Sequence, residues 1–303
     1  MPFPSPHRIR TALVCAAVLA AAFALAHSAA HAGAATSAPP KTIIFLAGPK
    51  DHGIPGRHEY EKDLRVLAHG LETSPNLPKL ATKVFVGRAP RDLAELENAA
   101  AIVIESSSDR LAKEVHPLFP PEPDNPNHTY DADTIAHLKA LDALIAKNRI
   151  GVVVFHYANW VEHWTARGYY LKWLGGLWVQ MASRNPVDDW TMSPKTGDHP
   201  IFRGIQPWTY RDEVFCRFFL PDNDPARTDL LLGTPSKSPV GPQTVSWAYQ
   251  RDDGGRGFVM GGVDYHVNMH VEDYRRYLLN GIVWAAGIDV PEGGVQSTLP
   301  PAQ

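Results

Sequence analysis

Three short apolar runs limit what this chain can fold into. They are TIIFLA at residues 42–47, AAIVI at residues 100–104 and IGVVVF at residues 150–155. A strand with one wet face alternates apolar and polar side chains. These runs do not alternate, so both of their faces must be buried. Strands of that kind belong to a mostly parallel sheet covered by helices, and the segments between them are helix-like. The pattern predicts an α/β fold with helices on both faces of the sheet.

The intervening segments support this. Residues 59–71 predict a helix, residues 82–86 a second strand and residues 91–98 a short helix. Asp131 or Asp133 caps a helix that runs to about residue 147, with Ile135, Leu138, Leu141, Leu144 and Ile145 on its apolar face. Residues 160–182 contain a helix interrupted near Gly175 and Gly176. Residues 244–249 and 257–262 read as a hairpin across the turn at Asp252, Asp253, Gly254 and Gly255. A closing helix covers residues 271–286. Residues 117–127 are rich in proline and read as a surface loop. Residues 186–242 offer short strand candidates among many prolines. No repeat or internal linker is visible, so residues 41–290 read as one domain with a tail at residues 291–303.

The first forty residues stand apart. Arg8 and Arg10 open the chain, an alanine-rich apolar run follows, and Ala30-His31-Ala32 is a small-x-small site. This is the layout of a cleavable signal peptide over residues 1–32, with a flexible leader at residues 33–40. The apolar run is shorter than the ~20 residues of a comfortable membrane span. The expected location is secreted or periplasmic, with no membrane attachment after cleavage. Cleavage changes the net charge from −3 to −5, because it removes two arginines and no acid. With no basic cluster, nucleic acid is not an expected partner. Of the two cysteines only Cys216 lies beyond residue 32, within the strand-like run 214–218, and it reads as a buried structural thiol.

In open α/β sheets, ligands bind beyond the carboxyl ends of the strands. The first strand leads there to Asp51 and His52, then to Arg57, His58 and Glu59. The third leads to Glu105, the fourth to His156, Tyr157 and Asn159, and the last to Asp264, His266 and His270. His156 occupies the turn where nucleophile-elbow enzymes carry serine or cysteine. Its flanks, Phe155 and Tyr157, are not small, which argues against a strained elbow. A histidine there serves acid/base work, ligation or hydrogen bonding rather than acyl transfer. The candidate catalytic groups are His156, Glu105, His58 and His266. The candidate substrate-binding groups are His52, Tyr157, Asn159, Asp264 and His270. His52, His156 and His266 are candidate ligands for a divalent, zinc-like metal, and a metal-free polar cleft is the alternative. Glu213, just before the 214–218 run, reads as a solvated acid.

Several stretches in order resemble the ThuA-like (trehalose utilisation) family, within the class I glutamine amidotransferase-like fold. They are the loop from Gly48 to His58, RIGVVVFHYAN, YLKWLGG, DHPIFRGI, RDEVF, SWAYQRDDGGRGFVMGGVDYH and DYRRYLLNGIVWAAGIDVPEGG. The resemblance implies a flavodoxin-like sheet whose amidotransferase cysteine is replaced by a histidine, matched here by His156. It implies no glutamine hydrolysis. It implies a small-molecule carbohydrate partner, in pathways of trehalose-type disaccharides that pass through 3-keto sugars. A hydrolase or lyase step on a keto-glycoside needs a base beside the carbonyl and an acid at the leaving oxygen. His156 and Glu105 are partners for that, their roles open. The stretch GGVDYHVNMH stands where a shorter Gly-His is common in the family, so the family role falls to His266 or His270. The alternative is a non-catalytic carbohydrate-binding or metal-binding accessory protein, holding a sugar through Asn159, Asp264, Trp160, Trp164 and Tyr265.

Overall fold

A computed structural model describes residues 41–121 and 129–301. The expected signal peptide and leader lie outside the described residues. The strands are β1 (Thr42–Ala47), β2 (Ala81–Val86), β3 (Ala99–Glu105), β4 (Gly151–Phe155), β5 (Val187–Pro194), β6 (Trp208–Glu213), β7 (Arg227–Pro235), β8 (Gln243–Gln250) and β9 (Arg256–Met260). The helices are α1 (Tyr60–Glu72), α2 (Ala132–Asn148), α3 (Trp164–Leu174) and α4 (Glu272–Ala285). The fold is mixed α/β, with one sheet in the order β2-β1-β3-β4-β9-β8-β7-β5-β6.

The half from β2 to β9 is parallel, as the unbroken apolar runs require. The half from β9 to β6 is antiparallel, so the sheet as a whole is less parallel than its sequence suggests. The 186–242 region supplies β5, β6 and β7, the outer strands of this extension. Residues 214–218 form no strand, and Cys216 makes only an isolated bridge to Arg184.

Alternate side chains of β1 enter two separate cores. Ile43 and Phe45 pack with α1 and α4, whereas Ile44 and Leu46 pack with α2 and α3. The capping signal at Asp131 is realised: its side chain accepts from the Thr134 N–H, and α2 starts there. α3 stops at Gly175, in the left-handed region.

The parallel registers set the site. Ala47 pairs with Glu105, Glu105 with Phe155, and Phe155 with Met260. The last residues of four strands therefore stand in one row. The chain leaves that row at Gly48, Ser106, His156 and Gly261, beside one another at the carboxyl edge.

Candidate metal and acid-base site

His156 is the first residue after β4, and its φ is +48°. This corrects the expectation of an unstrained turn. The left-handed backbone costs ~1 kcal/mol for a residue with a Cβ. It turns the side chain up out of the sheet edge, into the site. The ring is fully buried, and Nδ1 lies 3.1 Å from the Gly261 carbonyl. A carbonyl only accepts, so Nδ1 carries the hydrogen and Nε2 keeps a lone pair. That Nε2 is buried and has no hydrogen-bond partner among the described residues. Burial pushes the His156 pKa down to about 3, with the Gly261 bond opposing, so the ring is neutral.

His58 ends the loop after β1, also in the left-handed region at φ +51°. Gly53, at φ +81°, crosses its ring so closely that a Cβ there would stand 2.7 Å from His58 Cδ2. Burial, then the neighbouring His156, push the His58 pKa down to about 3 against the pull of Asp264. The rings of His58 and His156 are 5.3 Å apart, centre to centre. His58 Nδ1 is a second nitrogen of the site that is buried with no hydrogen-bond partner among the described residues.

Asp264 follows β9 in a loop held from below by Asp212. The Asp212 carboxylate accepts the N–H groups of Val263 (3.0 Å), Asp264 (3.2 Å) and Tyr265 (3.0 Å). Asp264 Oδ2 accepts from Arg57 Nε at 2.6 Å. Its Oδ1 stands 3.3 Å from His58 Nε2, outside hydrogen-bonding geometry, and is a third buried atom with no hydrogen-bond partner among the described residues. Glu213, at the end of β6, completes the group. It is not a solvated acid: it pairs with Arg57, and its Oε1 accepts from Asn185 Nδ2 at 2.5 Å. Each of His58, His156, Glu213 and Asp264 offers one ligand atom, and these atoms all lie within 4.8 Å of one another. Two neutral imidazoles and two carboxylates suit zinc or a similar divalent ion, and the three partnerless buried atoms fit its coordination.

The expected metal set of His52, His156 and His266 is therefore redrawn. His266 is turned the other way: its Nδ1 meets the buried Asp63 carboxylate at 2.5 Å, and that bond raises its pKa. Its Nδ1 is thus engaged by Asp63, and His266 is not among the four residues whose ligand atoms converge. His52 sits outside the four, its ring 4.1 Å from that of His58 and 5.3 Å from that of Tyr157. His52 Nδ1 is 2.7 Å from Asp51 Oδ1, which also accepts from Ser107 Oγ at 2.6 Å. Burial pushes the Asp51 carboxyl up, but the His52 and Ser107 bonds outweigh it, so it lies below its usual range and is ionised. With 29% of its side chain exposed, His52 is open to a substrate from the solvent side.

The remaining candidates separate. Glu105 is fully buried, carboxyl against carboxyl with Asp63. Burial, then the Asp63 carboxylate, push its pKa well above the usual range, so it is a neutral acid sealed beneath the site. Tyr157 donates its hydroxyl to Glu114 Oε1 at 3.0 Å and walls the site beside His52. Asn159 is buried and accepts from the Trp178 N–H at 2.8 Å, a bracing role. His270 is exposed and lines surface grooves with Val267 instead. Trp160 is buried against Trp178, and Trp164 is exposed. Cys216 is buried, and burial raises its thiol to about 12, so it is inert.

A family described as ThuA, trehalose utilisation, matches residues 127–285, more than half of the chain. The chain belongs to the ThuA family. That membership supports a role in carbohydrate utilisation. No curated protein matches the chain. Among solved structures, the GH42 β-galactosidase Gan42B from G. stearothermophilus is similar at 9% identity and a TM-score of 0.42. The alignment covers 83% of this ThuA-family chain and 30% of the galactosidase, so the chain spans under a third of that relative. A glutamine amidotransferase from Thermotoga maritima is similar at 10% identity and a TM-score of 0.42, over 81% of this chain and 98% of that one. PurLQS from the same organism stands at 11% and 0.37, over 82% of this chain and 97% of that one. These three likenesses are distant, and no activity passes to the ThuA-family chain through them.

Proposed function

We propose that the chain is a secreted or periplasmic enzyme acting on a sugar or 3-keto-sugar derivative in the utilisation of trehalose-type disaccharides. It works by His/carboxylate acid-base chemistry around a divalent, zinc-like cation, as a hydrolase or lyase without amidotransferase activity. The observation that carries the reading is the convergence of His58, His156, Glu213 and Asp264, with three of their atoms buried and unpartnered. The reading of a flavodoxin-like sheet with helices on both faces rests on the split of the β1 side chains between two helix-bearing cores. The basic start, apolar run and small-x-small site of residues 1–32 support export.

A divalent cation held by His58, His156, Glu213 and Asp264 would supply Lewis-acid polarisation of a sugar carbonyl. The proton transfer falls to His52. Asp51 holds its Nδ1 hydrogen, which leaves Nε2 to take a proton from the carbon beside the carbonyl. Tyr157 and His58 fix the ring of His52 from two sides. His156 cannot act as the base, because its lone pair faces the donor group. Cys216 is not a nucleophile, and His156 stands where an amidotransferase needs one.

The test has two parts. Metal content is measured on purified protein, and turnover is followed with keto-disaccharides such as 3-keto-trehalose. His156→Ala is expected to lose both metal and turnover. His52→Gln is expected to keep the metal and lose at least a hundredfold in kcat, the range of a lost general base. Sugar binding without turnover by the metal-loaded wild type would move the protein to the binding-protein reading.

A further inference from the structure

Arg57 belongs to none of the groups that hold the cation or move a proton, yet it touches both carboxylates of the donor set. Its Nε donates to Asp264 Oδ2 at 2.6 Å, and its Nη2 pairs with Glu213 Oε2. One guanidinium therefore spans two acids from different parts of the chain, the end of β6 and the loop after β9. Its own position is over-determined. The Arg57 N–H bonds to the Ile54 carbonyl at 3.1 Å, and Lys50 donates to the Arg57 carbonyl. Arg57 bridges Tyr265 through its backbone and lies over the Tyr265 ring at 5.1 Å. The neighbouring bonds from His58 N to the Asp264 carbonyl and from His266 N to the Gly56 carbonyl, each 2.9 Å, lock the two loops together.

Resting on the metal reading of the site, the geometry points to Arg57 as the positioning residue for the cation. Its planar fork holds Asp264 Oδ2 and Glu213 Oε2, which fixes the rotamers of both carboxylates before a cation arrives. The partnerless Asp264 Oδ1 is the direct result, since Oδ2 is tied down and Oδ1 is left facing His58. An ammonium in the same place offers one compact charge and cannot hold two separate acids in fixed planes. The pairing also removes part of the repulsion between two carboxylates brought into one site, and it leaves Asp264 Oδ1 without a hydrogen bond among the described residues. Only 23% of the Arg57 side chain is exposed, so water does not replace the clamp.

The experiment titrates zinc by calorimetry into chelator-stripped full-length protein, with cobalt(II) absorption as a second probe of donor geometry. Arg57→Met is expected to weaken zinc at least tenfold and to change the cobalt spectrum. Arg57→Lys is expected to remain at least fivefold weaker than wild type. The melting temperature of the stripped Arg57→Lys protein should stay close to wild type, while its rise on adding zinc shrinks. A purely structural arginine would instead lower the stripped melting temperature and leave the zinc-induced rise intact, and that result overturns the inference. So does zinc affinity in Arg57→Met within twofold of wild type, or complete rescue by lysine. In those outcomes wild type still binds zinc, and the metal reading stands. If wild type binds neither zinc nor cobalt, both fall together.

Discussion

At the scale of single residues, His156 carries the sharpest contradiction between stability and use. A non-glycine residue at φ +48° is strained, and the ring is buried with an unpaired nitrogen. Neither feature helps the fold, and both are what a ligand-binding elbow requires. Replacement should separate the two effects. His156→Gly relieves the backbone strain and removes the donor. It should lose zinc binding completely while costing less stability than His156→Ala, by ~1 kcal/mol, the left-handed penalty of a Cβ. Urea unfolding of the two stripped variants measures the difference. Equal stabilities would show that the turn holds no strain. The histidine itself was legible, because it ends an all-apolar run. Its φ was not, since the bulky flanks Phe155 and Tyr157 argue the other way. They are accommodated because both pack into the cores beneath.

At the scale of elements, strand ends carry the site, and legibility follows burial. β1, β3 and β4 are enclosed on both faces, so their sequences are unbroken apolar runs that announce themselves. β5 alternates buried and exposed positions, and β7 shifts register near Asp229 and Leu231. Such strands leave no continuous apolar run, and the prolines around them suggest loops. Glu213 was misread for that reason: it ends β6, at the sheet's far edge, and reaches Arg57 through packing 156 residues away. His266 was misassigned because its position after β9 is readable from sequence, whereas the direction of its side chain, towards Asp63, is not. Loops bear their own prediction. Gly53→Ala places a Cβ 2.7 Å from the His58 ring on a backbone at φ +81°. The loop must shift and take His58 with it. Zinc affinity should fall at least tenfold, with a loss of stability of only ~1–2 kcal/mol, the scale of backbone strain at one loop residue. A variant with wild-type zinc affinity would place the ring's anchor in Asp264 rather than in the loop.

At the scale of the whole molecule, buried ionisable groups set how stability depends on pH. His116 is fully buried away from the donor set: its Nε2 is 2.8 Å from Tyr170 Oη, and Nδ1 accepts from the Leu118 N–H at 3.2 Å. Burial lowers its pKa to about 3. The unfolded chain takes up that proton near pH 6.5, so between the two values it binds more protons than the folded protein. Stability therefore rises with pH across that window and is lost as pH falls from about 6.5 towards 3, by ~1.4 kcal/mol per pH unit for each such histidine. Asp109 works in the opposite sense. Burial raises its pKa to about 7 against the N–H bonds from Glu162 and His163, so the folded form holds its proton longer than the unfolded chain does. Its contribution declines as pH rises from about 4 towards 7, and it flattens the wild-type curve. The net slope of the wild type is thus a poor witness, and the difference between two proteins is a good one. His116→Gln removes one titrating group and leaves Asp109 in place. It should be ~1–3 kcal/mol less stable at pH 8, from hydrogen bonds imperfectly replaced. From pH 6 to pH 4 its stability should decline less steeply than that of wild type, by ~1.4 kcal/mol per pH unit, so the two curves converge. Urea denaturation at intervals between pH 4 and 8, with chelator present throughout, measures both. Parallel curves would mean that His116 takes up its proton in the folded protein as readily as in the unfolded one, and that its burial does not keep it neutral.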